Sequence, residues 1–199
     1  LSAAQMGAIT NTMVAGGSSV VLDAKDGTGT ADAAVIAATM GTGAGTLTVT
    51  DSNNNIESLS ITATGDASQT IAITAGDFTG STSADATLTI SGGSAGRTMT
   101  ISNALSSDTI DLSGVASNTT ATLATGVNHT FTGGTGTDTI TMTTGLTSAD
   151  TIDGGDGADV ASFSGNQGDY TFASSEDGLT VTVTDRSTGD ADTVTNVET

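Results

Sequence analysis

Two glycine-rich nonapeptides carry the residues of this chain that are best suited to chemistry. They match the pattern Gly-Gly-x-Gly-x-Asp-x-U-x, where U is a large apolar residue, at residues 133–141 and 154–162. Glycines permit tight, partly left-handed turns that expose backbone carbonyl oxygens, and Asp138 and Asp159 add charged oxygens. Calcium prefers six to eight such oxygen ligands. The pattern therefore indicates a turn that binds a hard cation.

The spacing of the two nonapeptides suits a shared site. One turn cannot supply six oxygens, so the site needs two turns stacked at the same corner of successive structural units. The nonapeptides begin 21 residues apart, at Gly133 and Gly154, and two nonapeptides of about 18 residues make one full turn of such a repeat. An apolar residue, Phe131 or Ile152, precedes each of them. Stacking of the two turns is therefore feasible.

In these residues the chain resembles the RTX family, the hemolysin-type calcium-binding β-roll proteins that bacteria export by type I secretion. The resemblance covers residues 106–164, and residues 165–199 are similar to the non-repetitive segment that commonly follows the repeats. It implies a secreted protein of the bacterial cell surface that folds around calcium, with a C-terminal, uncleaved secretion signal.

Transferred position by position, the family pattern implies that Asp138 and Asp159 are carboxylate ligands of Ca2+. The implied carbonyl ligands are those of Gly133, Thr135, Gly136, Gly154, Asp156 and Gly157. The chain departs from the pattern in two ways, because the nonapeptides are not in unbroken tandem and Ala161 is small at the U position. The number of calcium ions therefore stays open.

Short segments of alternating apolar and polar residues recur from about residue 46 onward, separated by Gly, Asn, Asp and Ser. This period of two predicts β-strands joined by turns. The predicted inward residues are Ile61, Ile71, Ile90, Ile101, Ile110, Leu123, Phe131, Ile140 and Ile152. Two strands with two turns then take roughly 20 residues, the size of one solenoid rung. An immunoglobulin-like sandwich is the alternative, but it usually carries larger core residues and turn prolines, and this chain has no proline.

The predicted fold is all-β, a parallel β-solenoid or β-roll with calcium-binding turns and a short C-terminal β cap. Residues 1–105 form a Thr/Gly/Ala-rich solenoid region, 106–164 the RTX-like β-roll and 165–199 the capping strands, within a longer chain. Three strands are expected in the cap, at 170–173, 179–184 and 192–197. Near the start, the Ala-rich segments 1–10 and 31–40 predict one or two short helical turns within further rungs or another cap.

Composition limits the partners of the chain. Asp and Glu total 22 against 3 Lys and Arg, and the formal charge of -19 opposes electrostatic binding to nucleic acid or to an anionic membrane. No apolar run approaches the roughly 18 residues that a membrane span requires. With no cysteine, a disulfide, a zinc ribbon and a thiol nucleophile are excluded. Cations are the expected ligands, and neither nucleic acid binding nor membrane insertion is predicted.

The chain carries three weaker signals besides the nonapeptides. Residues 92–96 fit Gly-x-Ser-x-Gly around Ser94, but a hydrolase elbow needs a strand-to-helix turn, and the surrounding sequence predicts two strands. His129 is the single histidine and is expected to be structural, so no enzyme is predicted. An accessory calcium loop at Asp23, Asp26 and Asp32 is a further candidate.

These expectations favour an extracellular, calcium-dependent structural protein. It is similar to surface-layer proteins and is expected to associate with itself into a lattice or filament at the bacterial cell surface. Cell-surface polysaccharide is a second candidate partner. Two alternatives stay open: a segment of a secreted RTX adhesin, and the C-terminal export module of a secreted enzyme.

Overall fold

The computed structural model describes residues 9–13, 16–22, 33–40, 45–51, 58–65, 68–74, 87–105, 109–126, 128–142 and 149–198. Most of these residues lie in β-strands, and a 3-10 turn at Gln167–Asp169 is the helical element found among them. None of the described residues belongs to a helix of the length and apolarity that a membrane crossing needs. The predicted all-β class is confirmed.

Within these ranges the chain forms seventeen strands. The first nine are β1 (Ile9–Met13), β2 (Gly16–Leu22), β3 (Ala33–Met40), β4 (Gly45–Asp51), β5 (Ser58–Thr64), β6 (Gln69–Thr74), β7 (Thr87–Gly92), β8 (Thr98–Leu105) and β9 (Thr109–Val115). The others are β10 (Asn118–Leu123), β11 (Thr130–Thr132), β12 (Thr139–Met142), β13 (Thr151–Asp153), β14 (Val160–Phe163), β15 (Tyr170–Ser174), β16 (Thr180–Asp185) and β17 (Ala191–Thr195).

The chain alternates between two sheets. One sheet has ten strands in the order β1-β3-β5-β7-β9-β11-β13-β17-β16-β15, and the other has seven in the order β14-β12-β10-β8-β6-β4-β2. As far as β14, each odd strand adds to the first sheet and each even strand to the second, and neighbouring strands are parallel. This parallel pairing excludes the immunoglobulin-like sandwich, whose sheets are antiparallel.

Parallel register places the inward apolar residues in columns. Ile61 pairs with Ile90 between β5 and β7, and Phe131 lies between Ile110 and Ile152 across β9, β11 and β13. All nine residues predicted to point inward are at most 2% exposed. Phe131 is the largest fully buried side chain, and the rest of the core is mainly aliphatic. The core is therefore thin, because each strand contributes a single side chain to a column.

The repeat length varies along the chain. Phe131 and Ile152 pair at a spacing close to the expected 20 residues, and the ladder contact between Asp138 and Asp159 spans 21. Earlier in the chain, Thr62 and Ser91 hold equivalent positions 29 residues apart. The strands of the longer repeat, β5 and β6, have seven and six residues, whereas β11 and β12 have three and four. Most of the additional residues therefore lie in longer strands.

The predicted helical turns near the start of the chain are wrong where the structure describes them. Most of segment 31–40 is strand β3, which pairs in parallel with β1 and β5, and Ile9 begins β1. Residues 1–8 lie outside the described residues. The helix propensity of alanine is a weak preference, and the β-branched Val35 and Ile36 suit a strand between two others. Pairing with neighbouring strands therefore decides the local structure.

Three strands follow the nonapeptides, as predicted, in β15, β16 and β17. The β15–β16 and β16–β17 pairs are antiparallel, and β17 pairs in parallel with β13. These strands extend the ten-stranded sheet beyond β13, whereas the seven-stranded sheet ends at β14. The two sheets consequently have unequal lengths at this end of the molecule.

Candidate functional site

The two nonapeptide turns lie directly against each other. Residues 133–138 connect β11 to β12, and residues 154–159 connect β13 to β14. Because both pairs of flanking strands are parallel and in register, the second turn stacks on the first. A Cβ atom added to Gly157 would lie 2.2 Å from the carbonyl oxygen of Gly136. The structure therefore brings together the turns that carry all eight predicted ligand residues.

Glycine is required in the two turns for different reasons. In the second turn, Gly155 and Gly157 have positive φ angles of 90° and 152°, which other residues adopt at a cost. In the first turn, Gly133 has no positive φ, but a Cβ there would lie 2.0 Å from the carbonyl oxygen of Gly154. The predicted left-handed geometry thus applies to the second turn, and close backbone approach explains the first.

Asp138 closes the first turn. Its side chain is fully buried, with Oδ1 accepting a hydrogen bond from the backbone N–H of Thr119 at 2.7 Å and Oδ2 accepting from Gly134 at 2.9 Å. Burial raises the pKa of Asp138, and these two hydrogen bonds oppose that effect. The carboxylate therefore joins its own turn to strand β10, the neighbour of β12.

Asp159 occupies the same position in the second turn and differs in one respect. It is fully buried, and Oδ1 accepts a hydrogen bond from the backbone N–H of Asp138 at 2.7 Å. Oδ2 is buried and has no hydrogen-bond partner within the described chain. Burial raises the pKa of Asp159, and the charges of Asp138, Glu198 and Asp153 raise it further. A buried anion of this kind is unfavourable unless a proton or a cation neutralises it.

Several backbone carbonyl oxygens in the two stacked turns have no hydrogen-bond partner among the described residues. Among the described residues, no donor was found for the carbonyl oxygens of Gly133, Thr135, Gly136, Gly154, Asp156 and Gly157. The carbonyl of Gly134, in the same turn, does accept a hydrogen bond, from the N–H of Asp156 at 2.9 Å. Backbone carbonyls of folded proteins normally have partners, and hard cations are bound by such oxygens. The donor set of the stacked turns therefore fits Ca2+.

The contact between carboxylate and backbone amide repeats along this corner of the molecule. The N–H of Thr119 donates to Asp138, that of Asp138 to Asp159, and that of Asp159 to Oε2 of Glu198 at 2.6 Å. We call this series the first ladder. Glu198 was not among the predicted site residues, because β15 and β16 separate it from Asp159 by 39 positions.

A second ladder lies at the other corner, where the chain enters the odd strands. The N–H of His129 donates to Asp150 at 2.7 Å, and the N–H of Asp150 donates to Asp192 at 2.9 Å. All three side chains are buried, and Oδ2 of Asp192 has no hydrogen-bond partner in the described chain. Burial raises the pKa of Asp192 to about 7, with the charges of Asp150 and Asp190 adding to the effect.

The second ladder was also missed in the sequence, although a signal for it exists. Asp150 and Asp192 each precede a threonine and a β-branched apolar residue, the order found from Asp138 to Ile140. The glycines that drew attention to Asp138 are missing before Asp150 and Asp192. The recurring Asp-Thr-Ile/Val order marks both residues as aspartates at the start of a strand, as Asp138 is, although they lie at the other corner.

Ser94 and His129, the residues of two weaker signals in the sequence, make ordinary structural contacts. Ser94 lies in the turn between β7 and β8, as predicted for that segment, and its Oγ donates to the carbonyl of Gly65 at 2.7 Å. His129 places Nε2 3.1 Å from the carbonyl oxygen of Ala124. The accessory loop at Asp23, Asp26 and Asp32 lies outside the described residues.

A side-chain metal cluster is a different kind of site from the one at the stacked turns. Across the described ranges, no group of three or more His, Cys, Asp or Glu side chains is placed to hold a metal ion. The ligand set predicted for the nonapeptide turns consists mainly of backbone carbonyls and does not depend on such a group. Comparison of the chain with protein-family models, with curated proteins and with solved structures finds no match.

Proposed function

We propose that this chain is an extracellular, calcium-dependent structural protein of the surface-layer type, secreted by a bacterium and assembled with copies of itself. In this proposal the alternating strands form a parallel β-solenoid, with one odd and one even strand in each rung. Asp159 carries the proposal, since its buried oxygen without a partner lies in a turn whose carbonyl oxygens are also unpaired.

The proposed calcium site uses the eight residues of the stacked turns unequally. Asp159 is the principal carboxylate, because one of its oxygens is not engaged. Asp138 contributes mainly negative charge, since both of its oxygens accept amide hydrogen bonds. The carbonyl ligands are those of Gly133, Thr135, Gly136, Gly154, Asp156 and Gly157. A bound calcium ion supplies positive charge that offsets the repulsion among Asp138, Asp153, Asp159 and Glu198.

The charge of the chain supports folding outside the cell. A formal charge of -19 opposes compaction, and calcium binds the folded turns far better than the unfolded chain. Where calcium is scarce, as in the cytosol, the turns would stay open, and export of an unfolded chain would precede folding. Self-association at the cell surface, with polysaccharide as a second partner, completes the proposal.

Two substitutions in one turn test the calcium site. Asp159→Asn removes the charge of the buried side chain, whereas Asp156→Asn removes an exposed charge and keeps its backbone carbonyl. Calcium at about 100 times its dissociation constant should stabilise the native chain by about 2.7 kcal/mol per site. We expect the Asp156 variant to retain this gain and the Asp159 variant to lose most of it, measured by thermal unfolding with calcium and with chelator. An equal gain in both variants would reject the site.

Assembly distinguishes the surface-layer proposal from the two alternatives. A layer protein should form ordered sheets or filaments when calcium is added to the purified chain, and it should disperse on chelation. These states are separable by light scattering and negative-stain electron microscopy. A chain that binds calcium and stays monomeric would favour a segment of an RTX adhesin or an export module instead.

A further inference from the structure

Strand β15 forms a free edge of the ten-stranded sheet. It pairs with β16 on one side, and on its other side no strand of the described chain lies beside it. Residues 171–174 are all exposed, and Phe172 is 52% exposed, a high value for a phenylalanine. The strand contains no charged residue and no proline, two of the features with which proteins protect such an edge. It is therefore open to pairing with another strand.

The outward backbone groups of β15 belong to its even-numbered residues. The N–H of Ser175, just after the strand, donates to the carbonyl of Thr180 in β16 at 2.9 Å. Along an antiparallel pair, residues that bond to the partner strand alternate with residues whose groups face away. Odd-numbered residues therefore bond to β16, and the N–H and C=O groups of Phe172 and Ser174 point outward. These groups have no hydrogen-bond partner in the part of the chain that the structure describes.

Tyr170 differs from these two residues because its outward groups are already engaged. Its N–H donates to the carbonyl of Gln167, and its carbonyl accepts from Nε of Arg186 at 3.0 Å. This contact holds the guanidinium group at the start of β15, where no carboxylate among the described residues forms an ion pair with it. Glu176 lies in the exposed turn at the other end of the strand. The edge therefore has an unpaired cation at one end and an acidic turn at the other.

Antiparallel pairing of β15 with the same strand of a second copy satisfies all of the outward groups in one register. With a two-fold axis at Ala173, Phe172 of each copy stands opposite Ser174 of the other. Facing residues of this kind exchange a pair of N–H···O=C bonds, so every outward group finds a partner. The two Phe172 side chains become diagonal neighbours across the axis, a separation that aromatic rings can span. This self-complementarity favours a second copy as the occupant of the edge.

The charges at the two ends of the edge favour the same register. It places Tyr170 beside the turn that contains Glu176 of the second copy, so the guanidinium group of Arg186 faces a carboxylate there. Parallel pairing would place the two Arg186 side chains together and the two acidic turns together, and repulsion between like charges opposes this. Charge complementarity therefore selects the antiparallel arrangement.

We propose that the free edge of β15 is a contact between copies of this chain, in which two β15 strands pair antiparallel about a two-fold axis at Ala173. The inference rests on the proposed self-association and names one surface that carries it. Five residues from each copy bury less area than a stable dimer needs, so a single contact is weak. In a lattice, many such contacts act together.

Cysteine cross-linking in calcium tests the register, because the chain has no cysteine of its own. Cα atoms of facing residues at the axis are about 4.5–5.5 Å apart, within the range for a disulfide, so Ala173→Cys should cross-link. Thr171→Cys is the matched control, exposed on the same face of β15 but about 14 Å from its counterpart in this register. On non-reducing gels after mild oxidation, we expect about tenfold more linked dimer from the Ala173 variant.

A charge exchange in the Ala173→Cys chain tests the end contacts. Arg186→Glu and Glu176→Arg each place like charges together, and each should lower the cross-linked fraction severalfold. The double variant restores opposite charges and should recover it. Within one copy the two positions are separated by the length of β15, so recovery cannot come from a contact in the same chain. Strand content by circular dichroism verifies that each variant folds.

Equal cross-linking at positions 171 and 173, or none at either, would overturn the proposed contact. Loss in both single charge variants without recovery in the double variant would overturn its register. If the unmodified chain assembles in calcium while Ala173→Cys does not cross-link, the contact is wrong and the proposed function stands. If Ala173→Cys cross-links specifically while no calcium-dependent assembly forms, the contact stands and the surface-layer proposal fails.

Discussion

Buried aspartates connect successive levels of paired strands at two places in this molecule. Asp138 and Asp159 in the first ladder, and Asp150 and Asp192 in the second, each accept a hydrogen bond from a backbone amide of the preceding level. Amide donors stabilise the ionised form, but burial opposes it, and the pKa of each of these four groups is raised. Each aspartate therefore combines a structural contact with an electrostatic cost.

Asp192 gives a prediction at the residue scale. Its pKa is raised from 3.8 to about 7, so at pH 8 the folded chain carries a buried charge that the unfolded chain exposes to water. Asp192→Asn removes that charge and keeps an oxygen for the N–H of Asp150. We expect the variant to be more stable by about 2–4 kcal/mol in chelator at pH 8, with little difference at pH 4. Urea unfolding at the two pH values measures this.

Asp190→Asn is the matched control for this substitution. Asp190 lies two positions away, outside the ladder, and it is partly exposed. The same loss of charge there should change the free energy of unfolding by less than about 1 kcal/mol. Equal effects of both substitutions at pH 8 would show that general repulsion, and not burial of Asp192, sets the stability.

At the scale of elements, the stacked turns predict a position-specific intolerance of side chains. Gly155 and Gly178 both have positive φ, at 90° and 74°, so alanine is strained at either. A Cβ on Gly155 would also lie 2.3 Å from the carbonyl oxygen of Gly134, whereas one on Gly178 meets nothing within 4 Å. We expect Gly178→Ala to cost about 1 kcal/mol and Gly155→Ala about 3 kcal/mol or more.

Chemical denaturation of the two alanine variants measures the loss in free energy of unfolding. Calcium titration of the same variants measures their affinity for the ion. Displacement of one turn from the other should weaken calcium binding in the Gly155 variant and leave it unchanged in the Gly178 variant. If both variants lost the same stability and kept the same affinity, close stacking of the turns would not matter for the site.

The thin core makes its largest side chain important for stability. Phe131 is 1% exposed and stands in a column with Ile110 and Ile152, whereas Phe172 is 52% exposed. Phe131→Ala should cost about 3–5 kcal/mol, because neighbouring strands are fixed by their hydrogen bonds and cannot close the cavity. Phe172→Ala should cost less than about 1 kcal/mol. Thermal unfolding of the two variants compares the same chemical change at both sites.

Most strands and their inward residues were predicted from the sequence, but one alanine-rich strand and the repeat length earlier in the chain were not. Alternation identified inward residues such as Ile61 and Ile140, because burial on one face leaves a period of two in any sheet. It did not identify Ala33–Met40 as a strand, since alanine-rich segments carry a helical preference that only parallel neighbours override. Repeat length was predicted only near the nonapeptides, because the strands earlier in the chain are longer than those beside the glycine-rich turns.

For the candidate site, the glycines directed the prediction to the two turns. Asp138 and Asp159 were identified because Gly-rich spacing is visible along the chain, and the structure stacks their turns. Glu198 and Asp192 were missed because each contacts a residue about 40 positions away, Asp159 and Asp150. Such contacts follow from the insertion of the β15–β16 hairpin, which local spacing does not reveal.

For the whole molecule, the buried acidic residues predict that lower pH raises the stability of the metal-free chain and reduces the stabilisation that calcium adds. Without calcium, the folded state holds a proton on Asp192 up to a pH of about 7, whereas the unfolded chain releases it near 3.8. The folded state binds more protons between these values, so stability should rise as the pH falls from 8 to 5. Calcium needs ionised carboxylates, so its added stabilisation should shrink over the same interval.

Thermal unfolding in calcium and in chelator at pH 5 and pH 8 tests this pair of responses. The gap between the two unfolding temperatures should be larger at pH 8. A calcium effect of the same size at both values would indicate an ion held without the buried carboxylates, and a metal-free chain more stable at pH 8 would contradict the raised pKa of Asp192.

The alternation between two parallel sheets has a mechanical consequence. As far as β14, the strands of each sheet pair in parallel with their neighbours, and in the proposed solenoid the hydrogen bonds between rungs would run along the axis of the stack. Tension along that axis would load the rungs in series and open them one after another from an end. A rung of the size that separates Asp138 from Asp159, 21 residues, would release about 70 Å of chain. In a cell-surface lattice, such a molecule would lengthen in steps under load before any contact between molecules had to break.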